Sequence, residues 1–145
     1  MKVSIGSDHR GHAQRKVVAE VIEATGNEAD DQGSFTEESC DYPDIAKQVA
    51  QQITSGKTER GILVCGTGIG MSIAANKIDG IRAALCHDVE SAKLSRQHND
   101  ANMLCLAGND FDPETYKAIV SAWLNTDFEG GRHARRVEKV KELEE

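Results

Sequence analysis

The chain has no apolar stretch approaching the roughly 20 residues needed to cross a bilayer, so a membrane partner is not expected. It also lacks any Cys-x-x-Cys pair. Its four cysteines, Cys40, Cys65, Cys86 and Cys105, are dispersed, which removes the usual signals for structural zinc or dithiol redox chemistry. Positive charge is short as well. With 17 Lys and Arg against 24 Asp and Glu, the net charge is −7. That is the wrong sign for nonspecific nucleic-acid binding, which needs a basic face. Internal repeats and low-complexity runs are missing too. The opening Met1-Lys2-Val3-Ser4-Ile5-Gly6 reads as a strand and not as a charged leader before an apolar signal core. These absences point to a soluble, cytoplasmic protein. The 145 residues fit one compact domain spanning 1–145, and a hydrophobic fraction of 39% suffices for one core.

What is present is an alternation of two periodicities. Val3 to Gly6 reads as a short strand, and Gly11 to Thr25 as a helix with Val17, Val18, Val21 and Ile22 on one face. Asn27 to Gln32 is a polar strand suited to a sheet edge. Asp44 to Ile53 has helical apolar spacing, with Pro43 at its start and Gly56 after it. Ile62-Leu63-Val64-Cys65 is a continuous apolar run, as a central parallel strand requires. A glycine loop, Gly66 to Gly70, then leads into a helix over Met71 to Lys77. Ile81 to Cys86 predicts a fourth strand, and Asp88 a cap for a helix running to about His98. Met103 to Ala107 predicts a fifth strand and Pro113 to Leu124 another helix. Gly130-Gly131 precedes a charged helix that runs to the end. The alternation implies a three-layer α/β/α Rossmann-like sandwich with a five-stranded parallel sheet. In such sheets ligands sit beyond the carboxyl ends of the strands, which directs attention to Ser7-Asp8-His9, to Cys65 through Gly70 and to His87-Asp88.

Gly66-x-Gly68-x-Gly70 does not have dinucleotide spacing, because the third glycine belongs at position 71, which is Met. The loop does supply unobstructed backbone N–H groups at a helix N-terminus, suited to an anion or a developing oxyanion; the plain alternative is a tight turn. Cys65 ends a buried strand just before this loop. A thiol there lies at the positive end of a helix, which favours the thiolate, and a thiolate could take a proton from a carbon beside a carbonyl. An inert, buried cysteine is the plain alternative. His98 closes a helix, where it can complement the dipole or serve as an acid–base group near neutral pH. Arg132 and Arg136 share a face of the last helix, with His133 and Arg135 beside them. They suit a phosphate dianion, or alternatively a solvated face paired with Glu138 and Glu142.

Together these segments resemble the ribose-5-phosphate isomerase B family, which includes galactose- and allose-phosphate isomerases. The matching runs are Gly6-Ser7-Asp8-His9-Arg10-Gly11, Asp41-Tyr42-Pro43, Cys65 to Gly70 with Ser72 to Lys77, Gly80-Ile81-Arg82-Ala83, Ser95 to Asn102, and Gly130-Gly131-Arg132-His133 with Arg136-Val137. They follow family order over nearly the whole chain. The resemblance implies an aldose–ketose isomerase interconverting ribose 5-phosphate and ribulose 5-phosphate through an enediolate. Isomerisation of allose 6-phosphate, galactose 6-phosphate or a tetrose phosphate is the alternative within that chemistry, and a non-catalytic sugar-phosphate-binding module the alternative outside it.

The resemblance also implies roles. Cys65 becomes the base between C1 and C2, and Thr67 and His98 open the furanose ring. Asp41 and Tyr42 line the pocket, and the loop glycines Gly66, Gly68 and Gly70 present their amides to the substrate. Asp8 and Asn99 hold sugar hydroxyls, while His9, Arg132 and Arg136 hold phosphate. Some members carry a Glu in the loop as base; here the corresponding Gly70-Met71-Ser72 leaves Cys65. No cofactor or metal is implied. Family members are homodimers or dimers of dimers with sites between subunits, so the C-terminal helix is expected to pack on a partner subunit. Two positions depart from the family. Asn109 stands where many members have the Arg of Gly-x-Arg, and His12 follows Gly11 where Phe is usual.

Overall fold

In a computed structural model, residues 1–34, 38, 40–109 and 112–144 are described; Glu145, the last residue of the expected terminal helix, lies outside them. The strands are β1 (Lys2–Ser7), β2 (Glu28–Asp31), β3 (Arg60–Cys65), β4 (Ala83–Leu85) and β5 (Met103–Ala107). They form one parallel sheet in the order β2-β1-β3-β5-β4. The helices are α1 (His12–Ala24), α2 (Tyr42–Thr54), α3 (Ile69–Asn76), α4 (Val89–Asn99), α5 (Pro113–Asn125) and α6 (Arg132–Lys141), followed by a 3₁₀ turn over Glu142–Glu144. The expected α/β architecture with five parallel strands is observed.

The period-2 rule sorts the core into two layers. From β3, Ile62 and Val64 join Val18, Ile22, Ile119 and Trp123 on the face covered by α1 and α5. Leu63 and Cys65 point the other way, towards Val49, Met71 and Cys105 beneath α2 and α3. Burial on both faces explains why β3 and β5 read as unbroken apolar runs, each large side chain adding roughly 1.5–3 kcal/mol on transfer from water. The polar β2 lies at one edge, as expected, and Arg15 ties its end to β1. The Arg15 Nε pairs with Asp31 Oδ1 at 2.8 Å and its Nη1 donates to Ser7 Oγ at 2.7 Å.

Most boundaries shift by one or two residues, the last helix gives way to a 3₁₀ turn after Lys141 instead of running to the end, and three of the differences have local reasons. Strand β4 covers only Ala83–Leu85 within the expected Ile81 to Cys86, because the Ile81 N–H goes to the Ile78 carbonyl at 3.1 Å and the Arg82 N–H to Asn102 Oδ1 at 2.8 Å, and the Asn76 side chain caps the outer edge at Ala83. Asn76 Oδ1 accepts from the Ala83 N–H at 2.8 Å and Nδ2 donates to its carbonyl at 3.0 Å. Helix α2 begins at Tyr42, with Pro43 in the first turn, where its missing N–H costs nothing. Helix α3 begins at Ile69, so Gly70 belongs to the helix and not to the loop.

Strand order sets the position of the site. From β1 the chain leaves towards β2 on one side, and from β3 it leaves towards β5 and β4 on the other. The crevice beyond β1 and β3 is therefore the topological switch point at which open α/β sheets bind ligands. Asp8 and Cys65 flank it.

Candidate active site

Cys65 ends β3 and is 7% exposed. Its carbonyl accepts from the Gly108 N–H at 2.7 Å, while the Asn109 N–H donates to Gly66 O at 2.9 Å and the Asp8 N–H to Val64 O at 3.2 Å. These bonds clamp the ends of β1, β3 and β5 around the thiol. Cys65, Gly66, Asp8 and Asn109 border one small cavity of about 80 Å³. Gly66 and Thr67 open onto a neighbouring cavity of about 440 Å³ with Asn109 and Tyr116. The Tyr116 hydroxyl, which sequence patterning did not single out, donates to the Ala107 carbonyl and fixes the far wall.

The loop after Cys65 is shaped for backbone donors. Gly68 is the N-cap of α3 at φ +77°, in the left-handed region. A Cβ there would stand 2.5 Å from Leu85 Cδ1 and 3.1 Å from the Leu106 carbonyl carbon and oxygen. Thr67 Oγ1 accepts the Ile69 N–H at 3.2 Å, and the Ser72 N–H donates to Gly68 O at 3.1 Å. The N–H groups of Gly70 and Met71, in the first helical turn, have no intrahelical acceptor and lie at the positive end of the dipole. Tyr42 packs on Gly70, where a Cβ would meet the ring at 2.6 Å. Asp41 is the N-cap of α2 beside it, without a side-chain cap bond. His9 Nδ1 accepts the Cys40 N–H at 3.3 Å, which joins the loop after β1 to the one before α2.

The second group of expected residues collects elsewhere. His98, Asn99 and Arg136 border a cleft of about 820 Å³ between α4 and α6. Its residues include neither Cys65 nor Thr67. Arg132 is exposed at the start of α6, and among the described residues neither Arg132 nor Arg136 forms an ion pair; the solvated pairing with Glu138 is made instead by Lys141, at 3.9 Å. The last turn of α4 is held firmly. Arg96, 5% exposed, donates to the Ala101 carbonyl at 2.7 Å, Asp100 Oδ1 at 2.9 Å and Thr126 O at 3.2 Å. Arg82 adds two bonds to the Asp100 carbonyl, at 2.8 and 3.1 Å. Both arginines lie within the family-like segments, but only the fold shows that they position His98.

His133 stacks on His98 with ring centroids 4.2 Å apart and planes 13° from parallel. Burial, with the neighbouring His98 and Arg132, pulls the His133 imidazole below the ordinary 6.5. Glu129 approaches from the loop before α6, its carboxylate 3.7 Å from His133 Nε2 and its N–H bonded to Gln97 O at 3.1 Å. The potential ligand atoms of His98, Glu129 and His133 all lie within 4.8 Å of one another. A tetrahedral metal needs them about 3.3 Å apart and in the plane of each imidazole, so the parallel stack would have to open to hold one.

The strand ends bring Asp8, Cys65 and the glycine loop to one crevice of a parallel α/β sheet, and comparison with known proteins sets the family. Residues 3–140 match the Ribose/Galactose Isomerase family, and the chain belongs to it. It is 46% identical to ribose-5-phosphate isomerase B of Escherichia coli, covering 99% of this chain and 97% of that one. It is 42% identical to the D-erythrulose-4-phosphate isomerase of Pectobacterium atrosepticum, covering 97% and 93%. The structure of ribose-5-phosphate isomerase B from Clostridium thermocellum superposes with a TM-score of 0.95 at 47% identity, covering 99% and 97%. The chain is thus an isomerase.

Proposed function

We propose that this isomerase interconverts ribose 5-phosphate and ribulose 5-phosphate through an enediolate, with Cys65 as base. The observation that carries this reading is the Cys65 thiol at the switch point, sharing a cavity with Asp8 and preceding the N–H groups of Gly70 and Met71, which have no acceptor within their helix. His98 and Thr67 open the furanose ring. The Cys65 thiolate removes the C2 proton; the C2–H electron pair forms the C1=C2 bond, and the carbonyl pair moves onto O1. Loop amides hold the negative oxygen, which is worth most in a site shielded from water. A proton passes from O2 to O1, and the thiol returns its proton to C1, leaving the ketone at C2. Asp8 and Asn99 hold hydroxyls, Asp41 and Tyr42 wall the pocket, and His9, Arg132 and Arg136 hold the phosphate.

Because Cys65 and His98 border separate cavities of one chain, we propose that a second copy completes each site, in a homodimer or dimer of dimers. Val140 and Leu143, 51% and 81% exposed at the end of the chain, support a partner packing over α6. A tetrose phosphate is the second reading of the substrate. It is favoured by the erythrulose-phosphate relative.

A coupled assay across pentose, hexose and tetrose phosphates separates these readings. Turnover of ribose 5-phosphate should lead, and Cys65→Ala should lose roughly 100- to 10,000-fold in kcat. Unchanged turnover in that variant would remove Cys65 from the mechanism. Arg132→Ala should chiefly raise KM for phosphorylated sugars, and an equal effect on unphosphorylated ones would contradict its assignment to phosphate.

A further inference from the structure

Gln14, in the first turn of α1, faces the cavity beside Cys65. Its Nε2 donates to the Gly108 carbonyl at 3.2 Å, which identifies the nitrogen end of the amide. Its Oε1 is buried, and among the described residues no hydrogen-bond donor reaches it. A buried acceptor left in that state is unfavourable, so a donor arriving there is favoured. On the neighbouring wall, Asn109 holds its side-chain amide over Gly66; a Cβ on that glycine would lie 3.4 Å from Nδ2 and 3.5 Å from Oδ1.

The lining chemistry decides what enters. Asp8 and Gln14 both border the cavity and offer a carboxylate and, just beneath the surface, an unmatched amide oxygen as acceptors, whereas a phosphate dianion is itself an acceptor and needs donors or cations. Arg10 contributes a cation only from the exposed rim, and Asn109 is neutral. A volume of about 80 Å³ suits one or two hydroxyl-bearing carbons.

We propose that this cavity is a hydroxyl-reading subsite, in which Gln14 Oε1 accepts a hydrogen bond from the substrate's C3 hydroxyl, next to the reacting C1–C2 pair. Gln14 is then a specificity-determining residue. This rests on the assignment of Cys65 as base.

The test compares ribose 5-phosphate with 3-deoxyribose 5-phosphate in wild type, Gln14→Leu and Gln14→Glu. Both substitutions disturb the Gly108 contact, but only Leu removes the acceptor. Wild type and Gln14→Glu should prefer the hydroxylated sugar by about tenfold in kcat/KM. Gln14→Leu should lose that preference while still turning over the deoxy sugar. If Leu and Glu slow both sugars alike and leave the preference intact, Gln14 is only structural and the proposal fails. Gln14→Met, of equal length, replaces the Leu variant should that one not fold. Repeating the comparison by calorimetric binding in a Cys65→Ala background separates the two readings, since binding preference does not require Cys65 to be the base.

Discussion

Four cysteines of one chemistry meet different fates because of their surroundings. Cys105 lies on β5, diagonal to Cys65 across the ladder, and burial with neighbouring Cys65 and Cys86 pushes its thiol well above the ordinary range. Burial raises Cys86 too. Both should stay protonated at neutral pH and react slowly, since the thiolate is the nucleophile. Brief treatment of the native protein with iodoacetamide, read by mass spectrometry, should therefore modify Cys65 at the cavity before Cys86 or Cys105. Labelling of Cys105 at a rate equal to Cys65 would contradict this. Gly68 gives a second test at this scale. Ala there must hold φ near +77° and clash with Leu85 and the Leu106 backbone. Gly68→Ala should cost about 1–3 kcal/mol in chemical denaturation and reduce activity through the loop amides.

Helix α4 presents His98 because both its ends are fixed. At its start, Asp88 Oδ1 accepts the Ser91 N–H at 2.7 Å, and these bonds hold the Asp88 carboxyl below the usual range. Asp88→Ala should lower Tm by a few degrees. In wild type the cap's contribution is complete above the unfolded carboxyl value and fades as pH falls through the lower folded value. The stack of His98 on His133 carries the opposite kind of group with the same sense of pH dependence. The folded His133 takes its proton below the ordinary 6.5. As pH drops through about 6.5, the unfolded chain binds a proton that the folded chain does not yet bind, and stability falls. A thermal-melt series between about pH 5 and 8 should show a shallower acid limb for His133→Asn than for wild type. An identical limb would remove His133 from it.

Across the whole molecule, the parallel sheet places Asp8 and Cys65 at one crevice, whereas His98, Asn99 and Arg136 line the cleft beside α6. If each site draws Cys65 from one subunit and His98 from the other, two inactive variants should rescue each other. Mixing and re-associating Cys65→Ala with His98→Asn should restore up to about a quarter of wild-type activity, because half of randomly formed dimers carry one intact site of two. No recovery despite confirmed subunit exchange would confine each site to one chain.

Much of this fold was legible in the sequence because it rests on local periodicity. Alternating apolar runs and helical faces specified five parallel strands, and Asp88 was readable as a cap since capping is decided within three residues. Strand β4 is shorter than its apolar run because the Arg82 N–H is taken by the Asn102 side chain, 20 residues away, a contact that local periodicity does not encode. The motif around Cys65 marked a candidate base by its place before a glycine loop. Which face Cys65 occupies, and that Arg96 and Arg82 anchor the turn carrying His98, follow from strand pairing and helix packing. Gln14 had no signal at all: a polar residue in a first helical turn is ordinary until the carbonyl of Gly108, 94 residues away, turns its amide towards the cavity. Local pattern specifies the elements and the family-like constellation, because both are written in residues close along the chain. Which groups share a cavity emerges only on folding, because burial and hydrogen-bond orientation are set by residues distant along the chain.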